Sequence, residues 1–277
     1  MTYIEPFNRI AKTDSPKFGG KVASLGEMLQ AHIPVPNGFG ISIEAHREFR
    51  DKPFSQVFKD EIRKAFQILA CSRVAVRSSA VAEDASDASW AGQLESYLNV
   101  TESQLETAIR NCWKSVEASH VKDYASDKEL GQDSLLVGVA VQQMVDSEAA
   151  GVMFTTNPVS GDSNEMMVEA AYGLGEMVVQ GIVTPDNFLI SKKDIAVTHF
   201  GIQIKEKMMV YKSRKNVILP VPESKADRAV LRENQVLELA SIGLKIAKHY
   251  GIPQDIEWAW ANNTFYITQS RPITTLK

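Results

Sequence analysis

The residues best suited to chemistry near the start of the chain are two cations that accompany glycines and hydroxyls. Lys21 follows Gly19 and Gly20, and Arg77 follows the apolar run 74–76 and precedes two serines. Glycine-rich turns let backbone N–H groups approach a phosphate, and lysine and arginine neutralise its charge. The pattern predicts a polyphosphate site, although a helix-initiating turn with a surface lysine, or a capped structural arginine, would give the same residues.

A second phosphate-binding candidate is the loop before the strand predicted over residues 94–100. It contains small residues and a glycine, a composition that suits a flap over phosphates and equally an ordinary hairpin turn. Its candidate binding residues are Ser89, Ala91, Gly92 and Gln93.

Oxygen donors collect in a hairpin predicted near the end of the chain. Strand side chains alternate between two faces, so Asp255 and Glu257 share a face, as do Gln269 and Arg271. Glu257 and Gln269 could hold Mg²⁺, whose other ligands in nucleotide sites are commonly phosphates and water. Arg271 could donate to the same phosphates. A solvated strand face with a salt bridge at its rim is the simpler alternative.

The register of this hairpin decides whether the donors meet. A turn centred on Asn263 places Glu257 opposite Gln269 and Asp255 opposite Arg271. A two-residue turn at 262–263 shifts the pairing by one residue and places Glu257 opposite Thr268, which separates the donors. Both registers are open from the sequence.

Other nucleotide motifs and nucleophilic sites are excluded by their residue patterns. The sequence has no G-x-x-x-x-G-K-[ST] motif, and the Gly173-Leu174-Gly175 turn has Val178 where a dinucleotide fingerprint needs a third glycine. The five histidines are scattered, and no Ser-His-Asp order or Cys-His pair is visible.

Composition indicates a globular cytoplasmic protein. The 277 residues are 44% hydrophobic and 23% charged, which is enough apolar material for a large core or two lobes. The formal net charge of −4 argues against nucleic acid as a partner. Two cysteines without CxxC spacing suggest a reducing compartment. We expect neither a signal peptide nor a membrane span, because no long apolar run occurs.

The positioning elements are a mixture of helices and strands, so we predict an α+β protein in two lobes, residues 1–133 and 134–277. Amphipathic patterns predict helices over 22–29, 44–70, 103–124 and 224–249. Apolar or β-branched runs predict strands at 74–77, 135–145, 151–155, 166–171 and 188–191, besides the terminal hairpin.

The ordered motifs resemble the N-terminal nucleotide-binding domain of the phosphoenolpyruvate synthase and pyruvate phosphate dikinase family, whose fold is of the two-lobed ATP-grasp type. The similarity covers nearly the whole chain. It rests on GGK at 19–21, VAVRSSAVAED at 74–84, ASWAGQLESYLNV at 88–100, VAVQQMV at 139–145, AGVMFTTNPVSGD at 150–162, EAAYGLGE at 169–176, VTPD at 183–186, and DIEWA with TQSRP at 255–272.

The resemblance implies a role for each candidate residue. Lys21 and Arg77 match phosphate-contacting cations, and Asp255 and Arg271 match further active-site positions. Glu257 and Gln269 match the residues that bind the metal. The implied cofactors are ATP and Mg²⁺. The loop 89–93 matches the flap over the phosphates, and the segment whose backbone meets adenine is Gln142, Gln143, Met144 and Val145.

The resemblance also implies the reaction, which moves the β-phosphate of ATP to a histidine of a separate swivelling domain and leaves AMP and phosphate. No Thr-x-Gly-Gly-x-x-x-His motif occurs here. We therefore expect the histidine domain to come from a second polypeptide, or from the remainder of a longer enzyme. The alternatives are the ATP-binding part of a rifampin-type antibiotic phosphotransferase and a non-catalytic module that binds adenine nucleotides.

Overall fold

The computed structural model describes residues 2–81, 95–116 and 136–273. The chain divides into two compact units, of which the first is Met1–Gln30 with Pro36–Met144 and the second is Ala31–Val35 with Val145–Lys277. Within the described residues, each unit combines an antiparallel sheet with helices, as the predicted α+β class requires. No helix among these residues has both the length and the apolar composition needed to cross a bilayer.

The first unit contains a five-stranded antiparallel sheet. Its strands are β1 (Ile4–Pro6), β2 (Gly38–Ile41), β3 (Val74–Ala80), β4 (Ser96–Val100) and β5 (Val137–Gln143), in the spatial order β1-β2-β5-β3-β4. Its helices are α1 (Ser15–Phe18), α2 (Gly20–Gln30), α3 (Ile43–Phe49), α4 (Gln56–Ile68) and α5 (Leu105–Ser115), with short 3-10 turns at Phe7–Arg9, Lys12–Asp14 and Glu102–Gln104.

The single helix predicted over 44–70 is in fact two helices, α3 and α4. Pro53 lies in the break, where it removes a backbone donor and disfavours a helical conformation in the residue before it. Each helix has its own N-cap, because the Ser42 hydroxyl accepts from Ala45 N and the Ser55 hydroxyl accepts from Phe58 N. The helix predicted over 103–124 is α5 as far as Ser115, and residues 117–124 lie outside the described part.

The two faces of the first sheet are built from different side chains. One face is apolar and joins the core formed with α3, α4 and α5, through Val74, Val76, Val137, Val139 and Val141. The opposite face carries small residues, because Arg77 pairs with Ala140 and Ser79 pairs with Gly138. The backbone at Phe18 lies so close to this face that a Cβ on Gly138 would come within 2.2 Å of the Phe18 carbonyl oxygen.

The boundary between the units differs from the predicted division after residue 133. Strand β5 lies between β2 and β3, and it pairs with both over its backbone. Residues 137–143 therefore belong to the first sheet, and the compact units divide after Met144. The predicted strand at 135–145 had the right position along the chain, but its pairing partners depend on tertiary structure.

The second unit contains a six-stranded antiparallel sheet and a separate two-stranded ribbon. The strands are β6 (Ala149–Phe154), β7 (Glu165–Tyr172), β8 (Asp186–Ser191), β9 (Ala196–Gly201), β10 (Lys207–Lys212), β11 (Lys215–Pro220), β12 (Gln254–Ala261) and β13 (Thr264–Pro272). The large sheet has the order β13-β12-β6-β7-β8-β9, and β10 pairs with β11 in the ribbon. The helices are α6 (Glu176–Val179), α7 (Glu223–Ala226) and α8 (Glu233–Tyr250).

Helix α8 covers one face of the large sheet. Gly243 permits this close packing, since a Cβ there would lie 2.6 Å from the terminal methyl of Met153. The helix ends at Gly251, whose φ of 72° is in the left-handed region that glycine adopts readily, as the sequence predicted. The predicted helix over 224–249 is interrupted, however, because residues 227–232 separate α7 from α8.

A buried ion pair fixes the segment between β9 and α8. The Asp186 carboxylate accepts from Lys205 Nζ at 2.6 Å, and it also accepts from the backbone N–H groups of Gln203 and Val230. Lys205 Nζ also donates to the carbonyls of Gln203 and Arg228. Both charged side chains are fully buried, so the backbone groups satisfy what the ion pair alone would leave unpaired.

Breaking this pair should destabilise the protein strongly. We expect Lys205→Met to lower the free energy of unfolding by about 3–5 kcal/mol, because it leaves a buried carboxylate without its cation. The double variant Asp186→Asn/Lys205→Met should recover part of the loss. Urea unfolding measures both, with Lys207→Met as the exposed control. A loss for Lys205→Met no larger than for Lys207→Met would contradict this account.

His46 makes the first unit sensitive to acid. The side chain is 1% exposed, its Nδ1 accepts from Val137 N at 3.0 Å, and its ring stacks on Trp113. Burial, with a smaller contribution from Arg50, lowers the pKa of His46 from 6.5 to about 4. The unfolded chain therefore takes up a proton below about pH 6.5, whereas the folded chain does so only near pH 4.

It follows that stability is lost as the pH falls from about 6.5 to about 4, by about 3 kcal/mol in total from this group. Urea unfolding followed by tryptophan fluorescence across this range measures the slope. His46→Phe should reduce the slope, whatever its effect on stability at pH 7. His249→Gln, at an exposed helix end, is the control variant. An unchanged slope in His46→Phe would assign the acid sensitivity to other groups.

Candidate functional site

The glycine turn at 19–21 lies directly against the end of β3. Gly19 has a φ of 84°, and a Cβ at this position would come within 2.0 Å of the Ser79 carbonyl oxygen. Val22 N donates to the Ser79 hydroxyl at 3.1 Å, which fixes the start of α2 against the strand. Only glycine meets both the conformational and the steric demands of position 19.

Both cations predicted from the sequence lie in this region of the first unit. Lys21 is 5% exposed and its Nζ donates to the Ser78 carbonyl at 2.7 Å, so its ammonium lies beside the residue that follows Arg77. Arg77 is 9% exposed and projects from the face of β3 that also carries Ser79. Lys21 and Arg77 are thus two nearly buried cations of the first unit, and their chemistry suits an anionic ligand.

The terminal hairpin brings the predicted oxygen donors together in the second unit. Glu257 is opposite Gln269, and Asp255 is opposite Arg271. Arg271 donates to Asp255 Oδ2 through Nε at 2.9 Å and through a terminal nitrogen at 2.8 Å. These are the pairs that the Asn263-centred turn predicted, and they share one face of the sheet.

The structure reaches this register by a different route. Asn262 and Asn263 both have positive φ, at 52° and 57°, and Ala261 pairs with Thr264, so the turn has two residues. A shift between Glu257 and Trp258 then leaves Thr268 as the extra residue of a β-bulge. The bulge restores the alignment that a two-residue turn alone would lose. Both turns were open from the sequence, but the sequence analysis did not predict the bulge.

Like charges crowd this face of the second sheet. Asp255 has a raised pKa, chiefly because it is buried and also because Glu257 is close, although Arg271 opposes the shift. Asp255 Oδ1 is buried and has no hydrogen-bond partner among the described residues. A carboxylate oxygen in this state gains from a nearby cation, because a cation offsets both the desolvation and the repulsion.

Glu169 is an acidic residue of the same face that the sequence analysis did not select. Val152 is opposite Glu257 on one side and opposite Glu169 on the other, so the three side chains form one row across the sheet. Burial and the proximity of Asp255 raise the pKa of Glu169. The available signal was a lone acid in the apolar run 166–171, where period-two alternation places it on the face opposite Val168.

The donor set fits a hard divalent cation. Carboxylate and amide oxygens from Glu257 and Gln269 are the ligand types that Mg²⁺ prefers, and Mg²⁺ in nucleotide sites takes its remaining ligands from phosphates and water. Within the described ranges, no group of three or more His, Cys, Asp or Glu side chains is arranged to hold a metal. Two protein oxygens leave the other positions of an octahedral Mg²⁺ to phosphate and water.

The predicted adenine-side residues lie at the end of β5 and directly after it. Gln142 and Gln143 end β5, Met144 N donates to the Arg73 carbonyl, and Val145 is the first residue of the second unit after the boundary. The predicted flap residues, which are Ser89, Ala91, Gly92 and Gln93, lie outside the described residues.

Comparison with known proteins identifies what the chain is similar to. Residues 46–277 match the family described as pyruvate phosphate dikinase, AMP/ATP-binding domain. The chain is 37% identical to a probable phosphoenolpyruvate synthase of Archaeoglobus fulgidus, over 97% of this chain and 41% of that protein. It is 33% identical to a phosphoenolpyruvate synthase of Pyrococcus furiosus, over 99% of this chain and 44% of that protein. The chain thus spans less than half the length of these relatives.

Solved structures show a more distant similarity. A D-alanine–D-alanine ligase of Helicobacter pylori aligns over 95% of this chain and 56% of its own, with a TM-score of 0.39 and 10% identity. The corresponding ligase of Bacillus anthracis aligns over 94% of this chain and 62% of its own, with a TM-score of 0.37 and 8% identity.

Replacing Glu169 should show how much the acidic row lowers the folding stability of the ligand-free protein. Burial and Asp255 disfavour ionised Glu169, so Glu169→Gln should stabilise the ligand-free protein at pH values above the raised pKa of the carboxyl. We expect a gain of up to about 1 kcal/mol, or about 2–4 °C in melting temperature. The gain should shrink as the pH falls and Glu169 becomes protonated. Thermal melts at pH 8 and pH 4.5 test this, with Glu238→Gln on an exposed face of α8 as the control, and a loss of stability at pH 8 would refute it.

Proposed function

Because the chain belongs to the pyruvate phosphate dikinase AMP/ATP-binding domain family, we propose that it binds ATP with Mg²⁺ and transfers the β-phosphoryl group to a histidine. That histidine would belong to a separate domain or protein. AMP leaves when the β-phosphoryl group is transferred, and the γ-phosphoryl group passes to water and leaves as phosphate. The observation that carries the proposal is the hairpin register, which sets Glu257 opposite Gln269 and beside the Asp255–Arg271 pair.

The first unit would contribute cations to the phosphates. Lys21 and Arg77 are nearly buried, and Lys21 is held against β3 by the Ser78 carbonyl, so neither side chain needs much reorganisation to meet an anion. Preorganised charge of this kind stabilises the transition state of phosphoryl transfer more than flexible surface charge does. We propose that these two cations contact the phosphate chain of ATP.

The second unit would hold the metal. Glu257 and Gln269 would be the protein ligands of Mg²⁺, which when bound offsets phosphate charge and orients the transferred group. Asp255 would keep Arg271 in place through its two hydrogen bonds, so that the guanidinium faces the phosphates in a fixed orientation. We further propose that the backbone of 142–145 contacts adenine.

Glu257→Ala tests the proposal directly. The protein is incubated with ATP labelled at the β-phosphate and with a purified phosphohistidine-domain protein, and the label on that protein is measured. We expect the wild-type chain to transfer label and Glu257→Ala to be slower by about 10²–10³-fold, by analogy with the loss of other charge-stabilising groups. Calorimetry should show that Mg²⁺ strengthens ATP binding in the wild type and does so less in the variant.

Glu238→Ala, an exposed glutamate of α8, is the matched control and should behave as wild type. Full transfer by Glu257→Ala would show that Glu257 does not hold the catalytic metal. Retained ATP binding with no transfer to any histidine-domain protein, even in the wild type, would favour a nucleotide-binding module without catalysis. Rapid AMP formation by the chain alone would show that no partner is needed.

A further inference from the structure

The ribbon formed by β10 and β11 stands apart from both sheets in its composition and in its pairing. The two strands pair from Lys207 with Pro220 to Lys212 with Lys215, and they form a separate two-stranded sheet. Ribbons of two strands are marginally stable unless another element covers them. This one is unusually apolar for an uncovered ribbon, since Met209 pairs with Ile218 on one face and Val210 pairs with Val217 on the other.

None of these apolar side chains reaches the core. The large hydrophobic residues of the ribbon are only partly buried, and Ile218 is 50% exposed. Strand β11 pairs with β10 along one edge, and the described residues include no further strand along its other edge. An edge of this kind has backbone donors and acceptors available for an added strand.

The ribbon is also positively charged, in contrast to the protein as a whole. It contains Lys207, Lys212, Arg214 and Lys215, and residues 207–220 include no acid. None of these four cations forms an ion pair within the part of the chain that the structure describes. The formal net charge of the chain is −4, so the ribbon is a positively charged patch on a chain that is negatively charged as a whole.

The root of the ribbon is held in place. Leu174 N donates to the Met209 carbonyl at 2.9 Å, and Gly173 forms an isolated parallel bridge with Met209. Gly173 has a φ of 81°, and a Cβ there would lie 2.3 Å from the same carbonyl oxygen. The Gly173 turn thus anchors β10 to the end of β7, which presents β11 in a defined position.

We propose that β11 is a docking strand for an extended, acidic segment of a partner protein. The free edge provides backbone hydrogen bonds, Ile218 provides an apolar contact, and the four cations select an acidic sequence. A second copy of this chain fits less well, because two such ribbons would bring like charges together. Nucleic acid fits less well because the rest of the molecule is acidic. The proposal does not depend on the nucleotide site.

The test uses a fluorescent peptide of about ten residues that alternates glutamate and valine, a length that matches an edge strand with overhangs. Fluorescence anisotropy measures its binding to the full chain, and we expect binding to weaken between about 0.1 and 0.5 M salt. The variant Lys212→Glu/Arg214→Glu/Lys215→Glu should bind at least about tenfold more weakly. Hydrogen exchange should show protection of amides within 216–219 when the peptide is bound.

The matched control is Lys64→Glu/Lys245→Glu/Lys248→Glu, which changes the net charge equally on exposed helix surfaces. It should keep the wild-type affinity within about twofold, since charges beyond the Debye length are screened. Equal losses in the two triple variants, or equal binding of a lysine–valine peptide, would overturn the proposal. So would tighter binding of an oligothymidine strand, or a ribbon-dependent dimer in sedimentation.

Discussion

The register of the terminal hairpin is the constraint on which the candidate metal site depends. A strand presents alternate residues on alternate faces, so a slip of one position would separate Glu257 from Gln269. The two asparagines of the turn favour a tight two-residue connection, and this connection gives the wrong alignment on its own. The bulge at Thr268 corrects it. The alignment of Glu257 with Gln269 therefore depends on both the two-residue turn and the bulge.

The same face illustrates why binding sites are often poorly stabilised without their ligands. Asp255 and Glu257 project from β12, and Glu169 projects from β7 on the far side of β6; burial and electrostatic proximity raise the pKa values of Asp255 and Glu169. An apolar row at these positions would pack without this electrostatic cost. A row of acids costs folding free energy in the ligand-free protein, and under the proposed function a bound cation would offset this cost. Asp255 Oδ1, which is buried and has no hydrogen-bond partner in the part of the chain that the structure describes, fits the same interpretation.

Stability is supplied elsewhere in the second unit. The Asp186–Lys205 pair is enclosed and fully hydrogen-bonded, and it joins β8 to the irregular residues at 202–206 and 227–232. In the first unit, the close contact of Gly19 with Ser79 fixes the start of α2 and with it the backbone that carries Lys21. In both places a side chain forms hydrogen bonds with backbone groups of another segment, so those groups are not left unpaired.

The sequence by itself determined the local features of this protein. Helix ends such as Gly251, the period-two faces of the terminal strands and the glycine turn before Lys21 follow from backbone sterics and side-chain chemistry, which act over a few residues. Tertiary structure decided the rest: the assignment of β5 to the first sheet, the bulge at Thr268, and the row that joins Glu169 to Glu257. Each of these depends on which strands pair, and pairing is set by burial and hydrogen bonding between segments far apart in the sequence.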